Sequence, residues 1–407
     1  MQIAFVHTDL RIYWLPRLQL LSRSLRRRGD RLSVIEIAGS GSPYDFAGCN
    51  DTNPELDWCV LFPDGDLRTL APRAMARAVE CKLTELHPDV VMAGGIAFPS
   101  GAAAVRWARR NHRGVVVFDD ARLEDVPRSQ LVEFVKRRIY ANVDAVLIPA
   151  RSHLASYVHW GVPESRIFTG VNVVDNGWYK SRAKIVRERS DSFREERSLP
   201  SRFFLGVGRH IARKNWEICL SAYRLYCEQV PQTPWGLVLI GDGPDHSHLM
   251  DIVHRCQIPE IHMPGAIHGD ELVGYYATAD ALVLPSTYGE TWGLVVNEAM
   301  ACGLPVLVSR CCGCAEALVR NGVNGWTFPP HDSTELAKRM LEMSALPAEA
   351  HRNMGLASEE IIASWGLDRF VGGAISAIAA CGSSNKGFAS QLDRLIVGLW
   401  NGRFRLS

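Results

Sequence analysis

The sequence predicts an α/β protein made of two doubly wound units in tandem. Three observations carry that expectation. Apolar runs of strand length alternate with amphipathic helical stretches almost from end to end, which is the pattern of mostly parallel sheets covered by helices. The alternation pauses at one charged stretch, KSRAKIVRERSDSFREER (180–197), and then starts again. Each half is about the size of one doubly wound unit, and a chain of 407 residues fits two or three compact domains. Boundaries are expected at 1–178 and 179–366, with a helical segment over 367–407. Two such units imply a cleft between them.

Composition narrows the function classes. Lys and Arg number 45 against 44 Asp and Glu, so nothing points to a nucleic-acid partner. No apolar run reaches the roughly 18 residues that span a bilayer, and the start, MQIAFVHTDL, reads as a strand without a basic start and cleavage site. A cytoplasmic location is expected. Eleven cysteines in a large chain fit reduced, mostly buried thiols better than a disulfide framework. Cys311, Cys312 and Cys314 cluster but lack a second ligand pair at zinc-like spacing, so no metal site is assigned.

Strands of the first half are expected at 3–6, 32–37, 90–93, 115–118, 145–148 and 166–169. Ligands of open α/β sheets sit beyond the carboxyl ends of strands, so the residues after each strand are the candidates. After the first come His7, Thr8, Asp9 and Arg11, then a helix through Leu18, Leu21 and Leu25 ending in Arg26, Arg27 and Arg28. These arginines read as a solvated helix end favoured by the dipole; the alternative is a surface for anionic head groups. Asp64 and Asp66 form a DxD-like triplet, read as a turn in a loop with no preceding strand. Asp119, Asp120, Ala121 and Arg122 are polar for a strand end. They either face the cleft or include a turn cap at Asp120. Lys136, Arg137 and Arg138 on the helix near 131–140 read as exposed charge.

Strands of the second half are expected at 203–207, 237–240, 261–263, 281–284, 306–308 and 326–328. The first runs into Gly208, Arg209 and Lys214. Glycine lets the backbone approach a ligand closely, and a guanidinium and an ammonium five residues apart can neutralise a diphosphate without a metal. Gly241, Asp242, Gly243 and Pro244 make a tight turn, weak as a sign of a site. The stretch PSTYGETWGLVVNEAMACGLP (285–305) is the centre of the half. It reads as a loop, a short helix over 294–301, a stop at Gly303 and a new strand. Glu290 and Glu298 lie eight positions apart, roughly 12 Å along a helix axis. That exceeds the roughly 5 to 9.5 Å of a glycosidase acid/base couple and suits two grips on one elongated ligand. Backbone N–H groups around Gly293, Leu294 and Val295 would point from the helix N-terminus at a phosphate.

Five blocks follow in order over about 125 residues: GRHIARKN (208–215), IGDGP (240–244), YYATADALVLPS (275–286), GETWGLVVNEAMACGLPVLVS (289–309) and VRNGVNGWTFPPHD (319–332). Together they resemble the family 4 retaining glycosyltransferases of the GT-B fold. The first half is similar mainly in architecture, with weaker echoes in KRRIYANVDAVLIPA and YVHWGVPESRIFTGVNVVD. The resemblance implies two Rossmann-like domains facing across a cleft. It also implies a C-terminal helix returning to the first domain.

By position, the resemblance implies a donor site of Gly208, Arg209, Lys214, Glu290, Gly293, Leu294, Val295 and Glu298. Arg209 and Lys214 would bind and steady the leaving diphosphate, Glu290 would hold hydroxyls of the transferred sugar, and Glu298 the ribose hydroxyls. Glu316 matches a further family glutamate. Where many relatives carry a Gly-Gly pair after the first strand this chain has HTDLRIYW. Where many carry a histidine near the reacting sugar, Asp119 stands nearest.

The function so implied is retaining transfer of a hexosyl unit from a nucleotide-sugar to a glycan, lipid-linked or small-molecule hydroxyl, with no metal or other cofactor and with domain closure assembling the site. The alternatives are a GT-B-fold nucleotide-sugar epimerase or phosphorylase, or a non-catalytic sugar-binding protein. In the tail, Leu392, Leu395, Ile396, Leu399 and Trp400 fall at helical spacing with Arg394, Arg403 and Arg405 nearby. This helix is expected to pack on the first domain, the alternative being peripheral contact at the inner membrane face. The nucleotide base, the sugar, the acceptor and the linkage stay open.

Overall fold

The computed structural model describes residues 1–10, 12–41, 55–382 and 387–402, so Arg11, Arg403 and Arg405 lie outside the described residues. The chain divides into two compact units: Met1–Arg122, Pro127–Val173 and Leu367–Ser407 form the first, and Leu123–Val126 with Val174–Gly366 the second.

The first unit holds a seven-stranded sheet of β1 (Gln2–His7), β2 (Arg31–Ser40), β3 (Asp57–Asp66), β4 (Val90–Ala93), β5 (Gly114–Phe118), β6 (Ala145–Ile148) and β7 (Ile167–Thr169). Their order is β3-β2-β1-β4-β5-β6-β7, and all neighbours run parallel. Strands such as Val90–Ala93 (VVMA) and Ala145–Ile148 (AVLI) are buried at every position, as a sheet covered on both faces requires. Phe5 stacks on Phe118 with centroids 4.5 Å apart, and Trp14 tilts against both. The helix Leu367–Ala380 packs Phe370, Ala374 and Ala377 into this core beside the helix Trp14–Arg26. The expected return of the C-terminal helix to the first unit is therefore observed.

β3 was not expected. Its sequence, DWCVLFPDGD, carries a proline, a glycine and acids, which mark an edge strand that resists further pairing. Asp64 and Asp66 therefore belong to a strand rather than a turn, and Asp66 is bonded to Arg68. The reading of Lys136, Arg137 and Arg138 as exposed charge holds for Arg137 alone. Lys136 sits 3.2 Å over the Trp160 ring, and Arg138 pairs with the buried Asp393 at 2.6 Å. Arg26, Arg27 and Arg28 are exposed.

The second unit holds β8 (Phe203–Val207), β9 (Gly236–Ile240), β10 (Ile261–Gly265), β11 (Ala281–Leu284), β12 (Val306–Ser309) and β13 (Gly325–Phe328). The order β10-β9-β8-β11-β12-β13 is again that of a doubly wound sheet. The stretch 180–197 is mostly helical, in Asn176–Arg187 and Ser190–Glu196. Among the described residues one stretch, Ala348–Ala380, has the length and apolarity of a membrane span. It consists of two helices, Ala348–Ala363 and Leu367–Ala380, broken at 364–366, and the second buries its apolar face in the first unit's core.

Beneath the first sheet, Arg109 and Asp144 form a fully buried ion pair at 2.5 Å, and Asp144 also accepts from the Val115 amide. Removing one partner of a buried pair strands the other charge. Arg109→Met is therefore expected to cost about 3–5 kcal/mol of unfolding free energy, read by urea denaturation; a loss below about 1 kcal/mol would contradict this account.

Candidate functional site

The second unit's site is built at the crest where the strand order reverses, between the paired strands β8 and β11. After β8 the chain passes through Gly208 to a single turn over 212–214, and Asn215 closes it at φ +59. The Asn215 amide donates to the carbonyls of Pro285 (3.0 Å) and Pro330 (2.8 Å), tying this loop to the ends of β11 and β13. The turn at 241–244 is more than a connector. A Cβ on Gly241 would stand 2.0 Å from the Gly208 carbonyl oxygen, and its φ is +147, so only glycine lets the two loops lie this close.

This packing aims Lys214 at Glu290. The ammonium meets Glu290 Oε2 at 2.5 Å, and the Ser286 hydroxyl donates to the same oxygen at 2.9 Å. Both charged groups are largely buried. Burial alone raises the Glu290 pKa, but the Lys214 charge and hydrogen bond, the Ser286 hydroxyl and the Arg213 charge outweigh it and hold the carboxyl below its usual range. Arg209 is exposed on the same loop, and among the described residues its guanidinium forms no ion pair. The Gly208 carbon stands close to the Lys214 side chain, where a Cβ would lie 3.2 Å from Cε.

Between Glu290 and the helix Leu294–Ala301 the loop is pinned. The Glu290 carbonyl accepts from the Gly313 amide at 3.0 Å, and the Trp292 carbonyl from Cys314 at 3.1 Å. Trp292 is buried against Trp365 and donates to Asn297 at 2.8 Å. Gly293 enters the helix at φ +107 with no room for a Cβ, which would meet Leu284 at 2.8 Å. The half-buried Leu294 and Val295 then form the first turn, whose amides have no intrahelical acceptor. Glu298 is different. It is 2% exposed, and the Tyr276 hydroxyl donates to Glu298 Oε2 at 2.6 Å. Tyr179 lies beside it, its pKa pushed well up by burial and then by the Glu298 charge.

The structure therefore brings Gly208, Lys214, Glu290 and the 293–295 turn to one crest, with Arg209 on the same loop. Glu298 stands within the following helix, and Glu316 is exposed on the short helix Ala315–Leu318. Asp119 belongs to the first unit, at the end of β5, where it accepts from the Tyr140 hydroxyl at 2.6 Å. His7 ends β1; its ring stacks on Phe118 and its Nδ1 accepts from the Asp9 amide, and burial pushes its pKa down to about 4. Cys312 and Cys314 are buried, and among the described residues no group of three or more His, Cys, Asp or Glu is arranged to hold a metal.

Sequence reasoning missed Ser286, Tyr179 and the pair His210–His246. His210 is fully buried, with Nδ1 2.9 Å from Nδ1 of His246 and the rings stacked. The histidine inside GRHIARKN was the available signal, but its partner lies 36 residues on and no spacing predicts it.

Two doubly wound parallel sheets, one per unit, define the GT-B class of fold. The first unit matches the glycosyl transferase 4-like domain over residues 16–169, and the second matches the glycosyl transferases group 1 domain over residues 188–360. The second unit thus belongs to the group 1 glycosyltransferase domains and the first to the glycosyl transferase 4-like domains. The chain is 26% identical over 339 residues to the sulfoquinovosyl transferase SQD2 of Arabidopsis thaliana, covering 80% of this chain and 62% of that one. It is 28% identical to a D-inositol 3-phosphate glycosyltransferase of Corynebacterium efficiens, covering 51% and 50%. The match thus spans less than two thirds of these curated relatives. Among solved structures, a glycosyltransferase from Rickettsia africae aligns with a TM-score of 0.72 at 13% identity over 93% of this chain and 98% of that one. Anabaena HepE in complex with UDP and glucose aligns at 0.69 and 18% identity, over 93% and 99%.

The buried histidine pair gives a pH prediction. Burial and then His246 push the His210 pKa down to about 4 from 6.5, against the pull of Asp242 and Asp245. Between these values the unfolded chain binds the proton and the folded chain does not, so stability falls as pH drops from about 6.5 to 4. His210→Gln is expected to flatten that slope in pH-dependent thermal unfolding, and an unchanged slope would contradict the assignment.

Proposed function

We propose that the protein is a metal-independent retaining glycosyltransferase, moving a hexosyl unit from a nucleotide-sugar to a hydroxyl acceptor. The observation that carries the reading is the Lys214–Glu290 pair at the switch point, between the exposed Arg209 and the open first turn of the helix Leu294–Ala301. A cation, a carboxylate and helix-end amides within one crest match the parts of a sugar diphosphate: phosphates for the first and last, sugar hydroxyls for the carboxylate.

In this reading the donor enters by replacing the Lys214–Glu290 contact. Lys214 and Arg209 turn to the diphosphate, which approaches over Gly208, and the amides of Gly293, Leu294 and Val295 meet its oxygens. Glu290, released from the ammonium, accepts from hydroxyls of the sugar while Ser286 keeps it oriented. Glu298, fixed by Tyr276, accepts from the ribose hydroxyls. As the bond to the anomeric carbon breaks, charge grows on the leaving phosphate, where preorganised donors act most strongly. The acceptor hydroxyl attacks on the same face and passes its proton to the departing phosphate. The complexes of Anabaena HepE with UDP and with UDP-glucose support testing uridine donors first.

A panel of nucleotide-sugars screened for protection against thermal unfolding tests the donor class, since a ligand at a hundred times its Kd adds about 2.7 kcal/mol of stability. One nucleotide-sugar is expected to raise the midpoint, and no response across the panel would count against the reading. Release of nucleoside diphosphate that requires an acceptor separates transfer from epimerisation. Lys214→Ala and Glu290→Gln are each expected to lower turnover by roughly 100- to 1,000-fold, the size of losing one preorganised charge-stabilising group. Full activity in either variant would remove the site assignment.

A further inference from the structure

On the helix Gln391–Leu399 a stripe of leucines faces outward, while Asp393 and Val397 are buried. Leu392, Leu395 and Leu399 follow one another at i, i+3 and i+7, one stripe of a helix, and are 48%, 58% and 71% exposed, whereas Asp393 is fully buried. Polar bonds at both ends hold the helix this way round. At its start the Ser390 hydroxyl accepts from the Asp393 amide and donates to the Asp393 carboxylate, and Arg138 binds both residues. At its end the Trp400 indole donates to the Ile96 carbonyl at 2.7 Å, and Arg106 donates to the Trp400 carbonyl at 2.7 Å. An amphipathic helix at a protein surface ordinarily turns its apolar stripe inward. This one is clipped with the stripe facing out.

The exposed charges on and beside the stripe are arginines, of which Arg110 lies 3.9 Å from the partly buried Glu80 carboxylate. The other exposed positions on the helix are Gln391 and Arg394, and exposed Arg110 stands beside Gly398. The helix Gln130–Tyr140, joined to this one through Arg138, adds exposed Leu131 and Phe134 on the Arg138 stripe and exposed Arg137.

We propose that this face of the first unit docks on an anionic lipid surface. The leucines enter the boundary between head groups and acyl chains, and Arg394 and Arg137 meet the phosphates. Exposed leucines rimmed by arginines combine the two terms that drive interfacial binding, apolar burial and attraction to anionic lipid. A second copy of the chain fits less well, because a two-fold contact would set the same arginines against each other. The proposal stands independently of the transfer reaction.

The test is flotation of the full chain with vesicles of phosphatidylcholine alone and of phosphatidylcholine with phosphatidylglycerol, at low and high salt. Binding is expected only with phosphatidylglycerol and is expected to weaken with salt. Leu395→Glu with Leu399→Glu is expected to abolish flotation. Arg394→Gln, which removes one surface arginine, is expected to weaken binding roughly fivefold. All these positions are exposed, so the unfolding midpoint measured on the same samples is expected to hold. Absence of wild-type flotation with phosphatidylglycerol, or flotation of the double leucine variant at the wild-type level, would overturn the proposal. So would a dimer in sedimentation that the leucine variant splits, which would assign the face to a second copy.

Discussion

Everything at the crest of the second unit depends on the parallel pairing of β8 with β11, in which Phe204 lies opposite Ala281 and Gly206 opposite Val283. These strands are neighbours in space but are separated in sequence by two further strands and their helices, because the sheet reverses its order between them. Helices that cross to opposite faces leave a gap above that point. Into it the sequence sends one loop with a lysine and one with a glutamate. Two charges this far from water are stable only together, so the groups the proposal assigns to the donor hold each other in place. The contact needs accurate loop placement, which Asn215 supplies from one side and the glycine approach at Gly241 from the other.

The first unit obeys the same topology with different chemistry. Its order reverses between β1 and β4, and the groups at that end are His7, Gly94 and Gly95, with Asp119 next along on β5. His7 stays neutral to about pH 4, and because its Nδ1 accepts from Asp9, the proton resides on Nε2. Asp119 is held from behind by Tyr140, whose hydroxyl burial, and then Asp119 itself, keep protonated. A neutral imidazole and a carboxylate recognise hydroxyls, whereas an ammonium, a guanidinium and helix-end amides recognise phosphate. The pair of glycines missing after β1 is present after β4, and a Cβ on either would crowd His7 or Asp119 at 3.0 Å.

What the sequence made legible follows from how each element is stabilised. Strands buried on both faces are near-continuous apolar runs, and the bounds expected for β4, β6, β8 and β11 are the bounds observed. β3 is half exposed at the sheet edge, so no apolar run was selected there. The motif helix Leu294–Ala301 is legible because a glycine-bearing loop precedes it and Gly303 stops it, and the structure gives Gly293 and Gly303 positive φ. Apolar spacing alone does not tell which side of the last helix is buried, because a period reports a stripe and not the direction in which it faces. Here a single buried carboxylate, Asp393 with its partner Arg138 on a helix 255 residues away, decides the direction, and long-range ion pairs leave no periodic trace.

The two glutamates of the motif show how far spacing reaches. Eight residues apart, they read as two equal grips on one long ligand, yet the structure gives them unlike surroundings. Glu290 has a cation for a partner and a carboxyl held below its ordinary range, so a ligand must offer something to both charges at once to displace the contact. A diphosphate joined to a sugar does so, giving anionic oxygens to Lys214 and hydroxyls to Glu290. Glu298 is met by the Tyr276 phenol with Tyr179 beside it, and the two oxygens of a carboxylate accept several donors. Tyr276 can therefore orient it without being displaced, and hydroxyls are what a preset, already hydrogen-bonded carboxylate receives at least cost. On the proposed reading, one glutamate is matched to a ligand that exchanges charges and the other to a ligand that only adds hydrogen bonds, the order of parts along a nucleotide-sugar.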